Sequence, residues 1–285
     1  MSTSPPRLDG TDPETPLSVL RRFGITTLTH DFDECTVTAS MPLGGMTNPL
    51  TGQPSLAGLA VLVDDVAGRV NYYRRGRGQW TVSSELTVEV SPGALEDLLG
   101  APDEPVVAAA RPLGAAGSTL LSVCTLTHRG VVIGGGTVHT VPIDGGPQEL
   151  PRRGDDPVAG RPGTTLADLM AVEPLPVGAD GSHRLRQLPD PMINNLIGIV
   201  HGGVSSAGLE LVAAAALNHG QSEPLRTASV RVNFLRPFFA RPDTGAQSVY
   251  EGTALRIGRT AAVGDSRAVG ADGAVAVIAR VTAYR

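Results

Sequence analysis

The chain carries the same pattern twice, at a fixed spacing of 146 residues. The first copy contains Met46, Asn48, Gly52, Ser55, Asp64 and Thr81, and the second contains Met192, Asn194, Gly198, His201, Glu210 and Thr227. One offset shared by six positions indicates a tandem duplication, and an internal repeat constrains the possible folds more than any local pattern does. The sequence therefore predicts two similar domains in one chain.

The domain boundaries follow from composition. With 285 residues the chain can form two cores of ordinary size. Residues 1–14 are predicted to be a flexible tail, and the polar, Gly- and Pro-rich residues 143–163 a linker between the repeats. The first domain is then expected over residues 15–142 and the second over residues 164–285.

Each repeat is predicted to contain one long buried helix followed by several strands. The helices are expected at residues 55–75 and 202–218, and the stretch from Val204 to Leu217 has a single charged residue, Glu210. A helix that is apolar on every face is buried. The runs that follow are broken by Gly and Pro turns, which favours antiparallel strands. The expected class is α+β, with two units of a helix wrapped by a curved antiparallel sheet, packed as a pseudo-dimer.

The two copies differ where chemistry would take place. The second copy reads Asn195, His201, Gly202 and Gly203, whereas the first has Pro49, Ser55, Leu56 and Ala57 at those positions. Both copies keep a carboxylate on the helix, Asp64 in the first and Glu210 in the second. One copy has therefore lost half of a site, and both have kept the other half.

The intact pattern resembles a known family. Asn195, His201-Gly202-Gly203, Glu210 nine residues later and the strand that opens at Thr227 are similar to the hotdog-fold acyl-CoA thioesterases of the phenylacetate-pathway (PaaI-like) type. The resemblance covers the second copy almost fully and the first in outline, so it implies a tandem hotdog. It also implies acyl-CoA as substrate and active sites shared between two hotdog units.

The residues suit that chemistry. A helix N-terminus offers free N–H groups and a positive dipole to a developing oxyanion, and Gly202 and Gly203 leave room for a thioester carbonyl to approach. Asn195 could donate a further hydrogen bond. Glu210 lies eight residues beyond Gly202, ~12 Å along the same helix, so the carboxylate must come from the other copy.

The expected catalytic residues are therefore Asp64 and Thr81 from the first copy with Asn195, His201 and Gly202 from the second. A second pseudo-site would combine Glu210 and Thr227 with first-copy residues. It lacks the amide donor and the glycine opening, so little or no activity is expected there.

Substrate contacts are predicted at Gly203 and at two arginines, Arg256 and Arg259, because guanidinium groups match phosphate oxygens of coenzyme A. The arginines at residues 74–77 are an alternative set, and solvated surface charge is the simpler interpretation of both.

Composition excludes several other classes. The net charge of −5 gives no electrostatic reason to bind nucleic acid or an anionic membrane. All 23 basic residues are Arg, which excludes a Schiff-base lysine and a P-loop lysine. No His or Cys spacing is typical of a metal site. No cofactor is expected, since coenzyme A is part of the substrate.

The expected setting is cytoplasmic, because neither a signal peptide nor a membrane-spanning run is present in the sequence. Two fused chains could pair further into a homodimer. Two alternatives stay open for function: a hotdog hydratase or dehydratase, and a non-catalytic acyl-CoA-binding module. The acyl chain, and whether the carboxylate attacks directly or activates water, do not follow from the sequence.

Overall fold

The computed structural model describes residues 17–144, 165–195, 197–240 and 247–285. The predicted tail lies outside these residues. The predicted linker does too, apart from Ile143 and Asp144, which end a strand.

The first repeat contains three helices and six strands in its described residues. The helices are α1 (Leu17–Phe23), α2 (Gly58–Tyr73) and α3 (Ala94–Gly100). The strands are β1 (Thr26–Asp31), β2 (Thr36–Met41), β3 (Gln79–Val90), β4 (Val106–Pro112), β5 (Leu120–His128) and β6 (Val131–Asp144).

The second repeat, over the part of it that the structure describes, contains two α-helices and six strands. The helices are α4 (Leu166–Met170) and α5 (Gly202–Asn218). The strands are β7 (Val172–Leu175), β8 (His183–Gln187), β9 (Arg226–Phe234), β10 (Val249–Ile257), β11 (Ala261–Val269) and β12 (Val275–Tyr284).

All twelve strands form one antiparallel sheet in the order β1-β2-β4-β5-β6-β3-β9-β12-β11-β10-β8-β7. Equivalent strands of the two repeats lie at equal distances from the β3–β9 junction. There Glu85 pairs with Asn233 and Glu89 with Ser229. The sheet thus has a pseudo-two-fold axis between β3 and β9, and the predicted pseudo-dimer with sheets joined edge to edge is confirmed.

Each long helix is enclosed by its own half of the sheet. Helix α2 packs against β2 to β6, and α5 packs against β8 to β12. Every residue of α2 except Gly68 is buried, which agrees with the apolar pattern. No helix in the described part of the chain is long and apolar enough to cross a membrane.

The two long helices approach each other at backbone distance. A Cβ on Gly203 would lie 2.5 Å from Val61 Cα and 2.8 Å from Ala60 O, both on α2. Only a glycine allows this crossing, because any side chain would force the helices apart. The crossing brings the N-terminus of α5 onto the first two turns of α2.

Two short elements were not predicted, α3 and β7. Helix α3 has only seven residues and follows a Pro-Gly pair, so its periodicity is too brief to recognise. Tertiary contacts hold it in place: Asp97 on α3 lies 2.6 Å from Nδ1 of the fully buried His128 on β5.

The crossing predicts opposite responses at two helix glycines. Gly203→Ala should lower the free energy of unfolding by ~1–3 kcal/mol, since the new methyl group overlaps the α2 backbone. Gly68→Ala should raise it by ~0.5–1 kcal/mol, because a Cβ there meets no atom within 4 Å and alanine favours helix. Urea unfolding of both variants measures this, and equal changes would contradict the close crossing.

Candidate functional site

The N-terminus of α5 holds a carboxylate from the other repeat. The backbone N–H of Gly203 donates to Asp64 Oδ2 at 2.6 Å, across a sequence separation of 139 residues. The carboxylate is buried, and the hydroxyl of Ser83 donates to its second oxygen at 3.1 Å. The N–H group and the dipole of α5 both stabilise a negative charge at this position.

His201 caps the same helix. Its Nδ1 accepts from Gly203 N–H at 3.2 Å and lies 3.3 Å from Asp64 Oδ2. Because Nδ1 is the acceptor in that contact, the neutral ring carries its proton on Nε2. The ring therefore presents an N–H donor on the side away from Asp64.

Gly202 lies beside both the capping residue His201 and the carboxylate of Asp64. A Cβ on this residue would lie 2.7 Å from Asp64 Oδ2 and 3.2 Å from the Phe234 ring. As the first residue of α5, Gly202 has a backbone N–H without an intrahelical partner. Because Gly202 has no side chain, the carboxylate of Asp64 can occupy this position and the N–H of Gly202 is left uncovered.

The loop before α5 fixes the amide of Asn195. Asn195 Oδ1 accepts hydrogen bonds from Ile197 N at 3.1 Å and from Ile199 N at 3.0 Å. Since both neighbours are donors, the oxygen must face them, and the Nδ2 donor is the end of the amide that the loop does not use.

These groups surround one cavity of about 310 Å³. The five residues predicted to be catalytic all line it: Asp64, Thr81, Asn195, His201 and Gly202. Residues from both repeats form its wall, so the cavity exists only because the repeats pack together.

Thr81 lines the cavity, and the hydroxyl of Ser83 donates to Asp64. Strand β3 has a β-bulge at Ser84, which is skipped in the register against β6. A bulge reverses which residues face inward on one side of it. Ser83 lies before the bulge, two residues beyond Thr81 and on the same face of β3, and sequence reasoning missed it.

The bulge in β9 lies elsewhere. Against β12, β9 skips Ala228, which corresponds to Val82 rather than Ser84 at the 146-residue offset. Thr227 is then the inward residue next to the bulge, and its hydroxyl donates to Glu210 at 2.5 Å. The bulges of the two repeats are thus two residues apart at the 146-residue offset.

The pseudo-site around Glu210 is nearly filled. Its cavity measures only about 30 Å³. Leu56, which replaces Gly202, and Leu95 from α3 both line it. Helix α2 begins at Gly58, two residues later than the offset from Gly202 requires, with Ala57 as cap and without a side-chain capping bond. In the described part of this half of the protein, no helix N-terminus is therefore open to a ligand.

Glu210 has a different environment from Asp64. Burial raises the pKa of Glu210 to about 7, against the opposing effect of hydrogen bonds from Thr227 and Ser55. The Ser55 hydroxyl is 3.4 Å away and also accepts from Ala57 N. Unlike Asp64, this carboxylate has only hydroxyl neighbours and no backbone N–H among its described contacts.

The predicted substrate-binding residues lie away from the cavity wall. Gly203 supports the helix crossing and the Asp64 carboxylate, as described above. Arg256 lies near the end of β10 and Arg259 in the turn between β10 and β11. There Arg285 donates to Arg259 O at 2.8 Å. Arg226 lines the pseudo-site cavity, whereas Arg236 lines the cavity of about 310 Å³ around Asp64.

The described residues contain no group of three or more His, Cys, Asp or Glu side chains arranged to hold a metal ion. The polar groups that line the cavity of about 310 Å³ include a carboxylate, an imidazole, an amide and a helix N-terminus.

Solved structures show the same architecture. An acyl-CoA thioesterase II, TesB2, from Mycobacterium marinum is 14% identical, with 94% of this chain and 96% of that chain covered and a TM-score of 0.55. A TesB protein from Mycobacterium avium subspecies paratuberculosis is 11% identical, with 95% and 98% covered and a TM-score of 0.59. A protein of unknown function with hot dog fold from Alicyclobacillus acidocaldarius is 15% identical, with 90% and 98% covered and a TM-score of 0.51.

No model of a protein family and no curated protein matches the sequence. At such low identities the structural likeness establishes the fold, and the fold is the predicted tandem hotdog, extending over nearly the whole chain.

The raised pKa of Glu210 predicts a pH-dependent stability. Between pH 4.5 and about 7 the unfolded chain has lost this proton while the folded chain keeps it. The free energy of unfolding should therefore fall across that window, by about 3 kcal/mol in total. Glu210→Gln removes this contribution, so the variant should gain on wild type as the pH rises from 4.5 to 7. Urea unfolding at a series of pH values across the window gives the difference, and parallel curves for the two proteins would contradict it.

Proposed function

We propose that the protein is an acyl-CoA thioesterase that hydrolyses its substrate at one composite site between the two repeats. The observation that carries this proposal is the Asp64 carboxylate, held 2.6 Å from the backbone N–H of Gly203 at the head of a helix from the other repeat. Two proteins with the same fold, named as a TesB2 acyl-CoA thioesterase II and a TesB protein, support it as well.

The carboxylate activates the nucleophile. As a general base, Asp64 takes a proton from a water molecule, and the hydroxide adds to the thioester carbon. The carbon–sulfur bond of the tetrahedral intermediate then breaks, the free acid forms, and the proton held by Asp64 passes to the departing thiolate of coenzyme A. Direct attack by Asp64, through a mixed anhydride that water hydrolyses, gives the same products.

Hydrogen-bond donors are available to the thioester carbonyl on the side opposite Asp64. Gly202 N–H and Asn195 Nδ2 are the two donors that the local structure leaves available, and the dipole of α5 adds to their effect. His201 Nε2–H is a third donor on the cavity wall. Such preorganised donors stabilise the developing oxyanion more than water would, because they need no reorganisation during the reaction.

Arg236 is suited to the coenzyme. It lines the large cavity, it is part-exposed, and its guanidinium lies 3.4 Å from Asp272 in a weak surface ion pair. A phosphate could replace that partner at little cost, since exposed pairs contribute ~0–1 kcal/mol. The role assigned from sequence to Arg256 and Arg259 stays a prediction, with Arg236 as the structurally better-placed arginine.

The two carboxylates should respond very differently to removal of their charge. Asp64→Asn should lower turnover ~10²–10⁴-fold, since the amide oxygen can still accept from Gly203 N–H but the base is gone. Glu210→Gln is the matched control and should keep near-normal turnover. Release of free thiol from a panel of acyl-CoAs measures both.

Three other outcomes bear on this proposal. An inactive Glu210→Gln with an active Asp64→Asn would place the working site in the other half. Two variants of equal partial activity would mean two working sites. Binding of acyl-CoA without any turnover by wild type would replace the proposal with an acyl-CoA-binding module.

The oxyanion donors are tested without disturbing the loop. Asn195→Asp keeps the oxygen that accepts from Ile197 N and Ile199 N but removes the Nδ2 donor, so turnover should fall ~10²–10³-fold. Gly202→Ala places a methyl group against Asp64 Oδ2 and should also lower turnover. The first-copy counterparts Pro49→Ala and Leu56→Val should leave kcat unchanged. Circular dichroism confirms folding, and equal losses in both copies would contradict the assignment.

A further inference from the structure

The wall of the cavity of about 310 Å³ contains a buried ion pair. Arg69 Nη2 lies 2.7 Å from Asp65 Oδ2 one turn earlier on α2, and both side chains are 2% exposed. Arg69 Nη1 also donates to Thr27 Oγ1 at 2.9 Å. Asp65 and Arg69 both line the cavity. A buried ion pair gains little stability over well-packed apolar residues, because desolvation offsets the attraction.

The second repeat shows that the fold does not need this pair. At the 146-residue offset, Asp65 and Arg69 correspond to Leu211 and Ala215, both fully or almost fully buried on α5. The same helix position is thus apolar beside the filled pseudo-site and charged beside the open cavity. The difference points to the contents of the cavity rather than to the fold.

Gly68 creates space beside this ion pair. It is the one residue of α2 that is not buried, it lines the cavity, and a Cβ on it would meet no atom within 4 Å. Packing therefore does not require a glycine here. Its counterpart on α5, Ala214, lines the small cavity. Gly68 opens room beside Arg69, about one turn beyond Asp64.

A hydroxyl without a partner faces the same space. Thr140 on β6 lines the cavity and is 2% exposed, and its Oγ1 has no hydrogen-bond partner among the described residues. Thr140 pairs in register with Ser83, so both residues line the cavity from neighbouring strands. A buried hydroxyl left without a partner is unfavourable, and a ligand oxygen would relieve it.

We propose that the acyl end of the cavity binds a short chain with a neutral oxygen, a hydroxyl or a ketone, near its far end. This inference rests on the proposed thioesterase function and adds the substrate class. The oxygen would accept from Arg69, ~7.5 Å along α2 from Asp64, or exchange hydrogen bonds with Thr140. A chain that ends in a carboxylate fits less well, because the charge of Arg69 is already paired with Asp65 and Asp64 lies one residue away.

The test compares substrates of equal size on the full-length protein. The ω-hydroxyhexanoyl and heptanoyl thioesters of coenzyme A differ by a hydroxyl in place of a terminal methyl group, and adipoyl-CoA adds a carboxylate. Wild type should favour the hydroxylated substrate about tenfold or more in kcat/KM over heptanoyl-CoA. Adipoyl-CoA should be a poorer substrate than the hydroxylated one.

Two variants locate the preference. The double variant Asp65→Leu with Arg69→Ala gives α2 the residues that α5 has at these positions, and the preference for the hydroxyl should disappear or reverse. Thr140→Val keeps the shape of the side chain, so it should raise Tm by removing an unpaired hydroxyl while it reduces the preference severalfold. This second variant keeps the test valid if the double variant does not fold.

The outcomes separate the two proposals. A wild type that hydrolyses heptanoyl-CoA as fast as the hydroxylated substrate, or a Thr140→Val variant with an unchanged ratio and an unchanged Tm, overturns the polar acyl pocket and leaves the thioesterase proposal standing. A wild type that hydrolyses no acyl-CoA in the panel overturns both.

Discussion

The crossing of α2 and α5 at glycine distance is the contact on which the rest of the structure depends. Gly203 lets the backbone of α5 come within reach of Ala60 and Val61, and the same residue donates its N–H to Asp64. One glycine thus sets both the packing of the repeats and the position of the carboxylate. If the helices were an ångström or two further apart, Asp64 would lose its backbone donor and the cavity its wall.

The asymmetry between the repeats follows from side chains that fill space. Where the second copy has Gly202 at the head of its helix, the first has Leu56, and α3 adds Leu95 to the same region. The carboxylate of that half, Glu210, is left buried with two hydroxyls and its pKa is raised to about 7. Both long helices therefore contribute to packing, whereas a sizeable cavity is left at only one end of the helix pair.

Much of this could be predicted from the 146-residue offset, and the failures have physical causes. The offset predicted two similar domains, and the family resemblance implied that they are hotdog units. Helix length placed Asp64 opposite Gly202, because it prevents Glu210 from reaching its own helix N-terminus. The assignment included Thr81 but not Ser83, because only the folded strand shows that the Ser83 hydroxyl reaches Asp64. The Asp65–Arg69 pair and Thr140 meet only after residues from α2 and β6 fold against each other, so no local pattern could associate them with a cavity.

The central claim is that each chain has one working site, built from both repeats. Isothermal titration calorimetry with a non-hydrolysable thioether analogue of the acyl-CoA substrate tests it directly, since it counts sites without relying on turnover. One bound analogue per chain is expected, and binding should be lost when Gly202 is replaced by valine and kept when Leu56 is. Two equivalent sites per chain, or one site that survives the Gly202 change, would contradict it.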